Sequence, residues 1–130
     1  MVIGILQVEL AIHGAESIKD KRRVVHSLRD RLHREHLVSV AEVGNADRAD
    51  RARLAIALAG TDGRRVGEVL DAITGKVRAA LGAELMASRR QIIREEQIAD
   101  LEPGEEPDVD AINAEMRSRA AEAGLAEDEA

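Results

Sequence analysis

Residues 37–60 read LVSVAEVGNADRADRARLAIALAG, and the fold turns on how they divide. "LVSVAEVG" (37–44) predicts a strand ended by Gly44. "RLAIALAG" (53–60) predicts another, with Leu54, Ile56 and Leu58 on one face. Period-two alternation of this kind marks a strand with one face buried. The polar run "NADRADRA" between them is too long for a tight turn, so the two strands read as antiparallel neighbours joined by a longer loop.

Working outward, each strand of this pair adjoins a helix, and each helix adjoins a further strand. Upstream, Val2, Gly4, Leu6, Val8, Leu10 and Ile12 alternate with Gln7 and Glu9 until Gly14 breaks the pattern. Ser17, with Asp20 three residues on, resembles a capping box with a shortened acid. The helix it starts runs to about His36, with a core stripe of Ile18, Val25, Leu28 and Leu32 widened by Val24. Downstream, "TDG" starts a second helix with Thr61 or Asp62 as its cap. Val66, Val69, Leu70, Ile73, Val77 and Leu81 form its stripe, and Gly82 ends it. Gly67 and Gly75 lower its propensity and offer a close approach to the sheet. "AELMASRRQII" (83–93) is a weaker fourth strand, because Arg89 and Arg90 spoil its alternation.

The order is therefore βαββαβ, which predicts an α+β, ferredoxin-like sandwich: one antiparallel sheet with two helices on one face. The other sheet face is left for solvent or association, and Ile3 and Ile5 on the odd face of the first strand point to association.

Composition divides the chain in two. Residues 1–94 hold 17 Lys and Arg against 12 Asp and Glu, whereas residues 95–130 hold 2 against 13. The reading is a mildly basic domain over 1–94 and an acidic, largely flexible extension over 95–130. Both prolines, Pro103 and Pro107, fall in the acidic linker, and 111–123 has the length of a short helix anchored by little beyond Ile112 and Met116. No Cys is present, which excludes disulfides, thiolate metal sites and a cysteine nucleophile, and suits a reducing compartment. No Phe, Tyr or Trp is present either, so the core is assembled from many small aliphatic groups. The apolar N-terminus lacks a basic leader and is far short of a membrane span, which places the protein in the cytoplasm without membrane contact.

The charge of the basic half is concentrated in "SIKDKRRVVHSLRDRLHREH" (17–36). With Val25 towards the core, Arg22, His26, Arg29 and His33 fall in a line along one flank of the helix, within about 60° of each other at ~100° per residue. Lys19 and Arg23 lie beside that line. Cations repeated on successive turns, a rise of ~5.4 Å each, are spaced to meet successive phosphates. Binding of this kind is salt-sensitive and weakly sequence-specific. The competing reading is a solvated helix face. Lys21 falls inside the apolar stripe, where it either snorkels past the sheet edge or has its ammonium held by an acid such as Glu42.

Catalytic and metal readings are weaker. His33 and His36 stand i, i+3 but lack a convergent third ligand, Ser17 is better explained as a cap, and neither "HGAES" nor "GTDG" is a phosphate loop. The expectation is no catalytic residue, no metal and no cofactor. The acidic extension has two readings: a competitor that folds back over Arg22 and Arg29, or a solubilising segment with no fixed contact.

"HGAESIKDKRRVVHSLRDRL" (13–32) followed by "VSVAEVG" (38–44) resembles the small bacterial YlxP-like family, DUF503, a domain of unknown function. The similarity covers about residues 1–93 and is most specific in the run Ser17–Arg23 and in the strand Val38–Gly44. It implies a ferredoxin-like fold and a gene often placed among transcription and translation factors, with no established activity to carry over. The acidic extension lies outside the family pattern, and an aromatic often found near the second hairpin is missing.

Together these readings predict a non-enzymatic factor that contacts structured RNA or a ribosomal particle through Lys19, Arg22, Arg23, His26, Arg29 and His33. The lack of aromatics argues against base stacking of the RRM type. The alternative is a protein-interaction or homodimerising domain that uses the open sheet face and has no nucleic-acid role.

Overall fold

The computed structural model of the chain describes residues 1–99 and 108–124. It divides into two compact units, Met1–Ala99 and Asp100–Ala130. The first unit therefore runs past the change of charge at residue 95. The stretch with Pro103 and Pro107 lies outside the described residues.

The first unit contains β1 (Val2–Ile12), α1 (Ile18–Glu35), β2 (Ser39–Gly44), β3 (Arg51–Gly60), α2 (Gly63–Arg78), β4 (Ala83–Ile93) and a short 3-10 turn at Glu95–Gln97. The sheet order is β2-β3-β1-β4, and every pairing is antiparallel. This is the ferredoxin-like α+β arrangement, with the hairpin 39–60 placing β3 beside β1 at the centre. Even-numbered residues of β1 meet Leu58, Ile56, Leu54 and Ala52 of β3 on one face of the sheet. Both helices close over that face with Val25, Leu28 and Leu32 of α1 and Val66, Leu70, Ile73 and Val77 of α2.

Glycine brings α2 onto the sheet, but from the opposite side of the contact to the one expected. A Cβ on Gly4 would stand 2.5 Å from Val66 Cγ1, and one on Gly60 would stand 2.7 Å from Val66 Cγ2. Gly67 has only ordinary contacts and Gly75 has open space beside it, so the strands, not the helix, supply the missing side chains.

The helix ends follow side-chain chemistry. The Ser17 hydroxyl accepts from Asp20 N–H at 3.1 Å, while the short Asp20 carboxylate accepts from Glu16 N–H, also at 3.1 Å. Asp62 caps α2 by accepting from Arg64 N–H at 3.0 Å. The helix ends at Arg78, one turn sooner than its apolar stripe implies, and Leu81 is 92% exposed in the turn before left-handed Gly82.

The irregular alternation of β4 has a geometric cause. Its pairing with β1 shifts register between Leu85 and Ala87, so Met86 is an extra residue. Ala83 and Leu85 face the helices before the bulge, and Ser88, Arg90 and Ile92 after it. Arg90, opposite Leu6, therefore starts on the helix side, where its guanidinium bonds the Gly67 carbonyl at 3.2 Å and pairs with Asp71.

In the second unit, α3 (Val109–Glu122) is capped by Asp108, whose carboxylate accepts from Ala111 N–H at 3.0 Å. None of its residues is buried, and Arg119 pairs with Glu115 on the next turn.

Candidate functional site

The two flanks of α1 differ in chemistry because one of them faces α2. On that side, Arg31 pairs with Glu35 at 3.4 Å, and Glu35 accepts from Lys76 of α2 at 2.8 Å. Lys76 also bonds His36 Nε2 at 2.8 Å, tying the end of α1 to α2. Since the ammonium can only donate, His36 Nε2 must be the acceptor and the ring neutral. Burial holds the His36 pKa below its ordinary 6.5, and the Lys76 charge adds to the effect. The hydrogen bond from Lys76 holds the Glu35 carboxyl below its ordinary 4.5. A groove of about 330 Å³ runs beside this contact, lined by Arg23, Val24, Ser27, Leu28, Arg31 and Leu81 among others.

Among the described residues, the other flank has no such partners. Lys19, Arg22, His26 and His33 are exposed, and Arg29 is half-buried with only the adjacent Asp30 at 3.9 Å. Lys19, Arg22, Arg23, His26 and His33 make no ion pair among the described residues. Arg22, His26, Arg29 and His33 thus form a line of basic side chains about 16 Å long at ~1.5 Å per residue, with Lys19 just before it. Arg23 is separated from them, on the groove side of α1.

Beneath the line, one cation is held inside the fold. Lys21 is 1% exposed, and its ammonium reaches Glu42 at 2.9 Å and the Asn45 carbonyl at 2.7 Å. Asn45 takes a left-handed backbone (φ 62°) just after the bulge that ends β2, and its amide donates to Glu9 at 2.6 Å. Glu9 also accepts from Arg53 at 3.0 Å. The chain Lys21–Asn45–Glu9–Arg53 fixes the first turn of α1 to the end of the sheet. The wheel position of Lys21 pointed to Glu42, whereas nothing in the local sequence marked Asn45 or Glu9.

His33 and His36 do not converge. His33 lies on the outer flank, while His36 turns inward to Lys76. Among the described residues there is no cluster of three or more side chains suited to a metal ion, and no helix is long and apolar enough to cross a membrane.

Three solved structures share the general arrangement. A de novo designed protein with a ferredoxin fold aligns with 83% of this chain and 97% of its own, at 14% identity and a TM-score of 0.47. A variant of SnoaB, a cofactor-independent oxygenase from Streptomyces nogalater, aligns over 80% of this chain and 98% of its own, at 13% identity and a TM-score of 0.43. The C-terminal segment of the alpha subunit of aIF2 from Pyrococcus abyssi aligns over 75% of this chain and 52% of its own, at 22% identity and a TM-score of 0.40. No curated protein matches the chain in sequence. Residues 3–90 match the family described as "Protein of unknown function (DUF503)".

Proposed function

We propose that this chain, which belongs to the DUF503 family of proteins of unknown function, is a non-enzymatic factor that binds structured RNA, free or in a ribosomal particle, through the outer flank of α1. The observation that carries the proposal is the contrast between the two sides of one helix. On the inner side Arg31 has an acid partner and Arg23 alone has none, while on the outer side Lys19, Arg22, His26 and His33 have none among the described residues and Arg29 has only Asp30 at 3.9 Å. Lys and Arg side chains without an acid partner are free to bond phosphate, and the release of condensed counterions favours that contact.

The mode of contact follows from what the surface holds. A row of ammonium, guanidinium and imidazole groups meets backbone phosphates, and carries none of the large Phe, Tyr or Trp rings on which bases stack in the RRM manner. Affinity therefore depends on the shape and charge of folded RNA more than on its sequence. The line is held rigid by α1, which Lys21 anchors at one end and the His36–Lys76 bond at the other.

Binding of the full chain to structured RNA and to ribosomal particles at low salt tests the proposal. Arg22→Glu/Arg29→Glu should lower affinity by tenfold or more. Arg65→Glu/Arg78→Glu, with the same change in net charge on α2, should lower it much less. Equal losses from the two variants would reduce the effect to overall charge, and no binding by the folded wild type would remove the proposal.

A further inference from the structure

The face of the sheet away from α1 and α2 carries a pattern that fits itself. Four rows cross it in the order β4, β1, β3, β2. The first holds Ile93, Ile3 and Ala59, and the next holds Gln91, Ile5, Ala57 and Ser39. The third holds Arg89, Gln7, Ala55 and Ala41, and the last reads Ala87, Glu9, Arg53 and Gly44. In the first three rows the larger side chains stand on β4 and β1, and the small ones on β3 and β2. In the last row the charges stand side by side, with Glu9 on β1 and Arg53 on β3.

We infer that this face pairs with the same face of a second copy of the chain, about a two-fold axis lying parallel to the strands between β1 and β3. Such a rotation exchanges left and right while keeping each row at its height. It lays β1 of one copy over β3 of the other, and β4 over β2. Ile3 then meets the recess at Ala59, and Ile5 the recess at Ala57. Glu9 comes opposite Arg53, and by symmetry each contact occurs twice. Sheets packed face to face with nearly aligned strands interdigitate in this manner. An axis running across the strands would instead bring the isoleucine end against the Glu9–Arg53 end, leaving both central charges on apolar groups, which is costly, whereas the assigned axis sets only Arg89, on an edge strand, over the small Ala41.

Size sets the strength of the contact. Four strands at ~4.8 Å spacing and seven residues, Ile3 to Glu9, at ~3.4 Å each give a plan area of about 450 Å² per copy. Two copies together approach the roughly 1,000 Å² at which specific interfaces begin. With alanine, and not larger groups, filling half the face, the pair is a reversible dimer that dissociates at micromolar concentration.

Sedimentation of the full chain from micromolar to near-millimolar concentration tests the inference. The wild type should move from monomer to dimer over that range, and a monomer throughout overturns the proposal. Glu9→Arg and Arg53→Glu each place like charges opposite one another across the axis. Each alone should weaken dimerisation by tenfold or more. An equimolar mixture of the two should restore it, because one copy then presents a pair of cations and the other a pair of anions, so both contacts join opposite charges. Failure of the mixture to associate, with both variants folded by circular dichroism, overturns the assigned axis. Ala57→Arg, which fills the recess opposite Ile5 without touching the Glu9–Arg53 pair, should give a monomer. A dimer of undiminished affinity in that variant also overturns the assignment.

Discussion

Glu42→Gln should cost the fold more than Lys21→Met, although the two residues form one ion pair. The asymmetry lies in what each substitution leaves behind. In Glu42→Gln, the Lys21 ammonium stays where it is, 1% exposed, with neutral acceptors and no counter-charge. Breaking a buried pair from one side costs about 3–5 kcal/mol, and the side chain of Glu42 is itself 26% exposed, which brings the expected loss to about 2–3 kcal/mol. In Lys21→Met, the site receives an apolar chain of similar length among Val25 and its neighbours, and the Glu42 carboxylate turns to water. Replacing a buried charge with a well-packed apolar group is close to neutral, so about 1 kcal/mol or less is expected, mostly from the Asn45 carbonyl that loses a donor. Urea unfolding at neutral pH measures both, provided the slope with denaturant is unchanged. In a domain of this size the Glu42 variant should melt roughly 10–20 °C lower, at ~4–8 °C per kcal/mol. A larger loss from Lys21→Met than from Glu42→Gln would refute the reasoning, since the ammonium would then be contributing net stability.

Three further outcomes follow from particular contacts. Gly4→Ala forces a methyl to within 2.5 Å of Val66 Cγ1 and should cost about 1–3 kcal/mol by chemical denaturation; adding Val66→Ala should recover part of it. Leu81→Ser should change stability by no more than about 0.5 kcal/mol, whereas Leu70→Ala, at a fully buried position of the same helix stripe, should cost about 2–5 kcal/mol. The His36 pKa is depressed in the fold, so the unfolded chain binds the proton more readily. Stability should accordingly be full above pH 6.5 and fall as pH drops through the folded value, and His36→Gln should flatten that part of a stability–pH profile. The lowered pKa of Glu35 acts below pH 4.5, which separates the two effects along the pH axis.

The parts of this fold that were legible in the sequence are those set by local periodicity. The 37–60 hairpin, the stripes of α1 and α2, and the Ser17 cap depend on residues a few positions apart. Lys21 was legible for the opposite reason: a charge in an apolar stripe demands a partner, and β2 offers Glu42 on its helix-facing side. What escaped depends on elements meeting. Gly4 and Gly60 look like weak strand positions until Val66 is placed above them. Arg90 looks like a break in alternation until the Met86 bulge shifts the register and Asp71 appears across the gap. Leu81 continues a helical pattern beyond the point where the chain turns, and the tie between His36 and Lys76 spans 40 positions. The candidate surface was half legible. The wheel gives the line Arg22, His26, Arg29 and His33, and the i, i+4 spacing of Arg31 and Glu35 offers their pair, but only the position of α2 shows that Arg23 stands on the groove side and that Glu35 is shared with Lys76.

The salt dependence of RNA binding tests the central claim most directly. The three permanent cations of the flank, Lys19, Arg22 and Arg29, give a log–log slope of about −2 to −3, so affinity for a folded RNA should fall roughly thirtyfold when monovalent salt rises fourfold. Arg22→Glu/Arg29→Glu should reduce the slope by about 2, one for each contact removed. A wild-type slope near zero, or a slope the double variant leaves unchanged, would contradict the assignment of the outer flank of α1 as the RNA-binding surface.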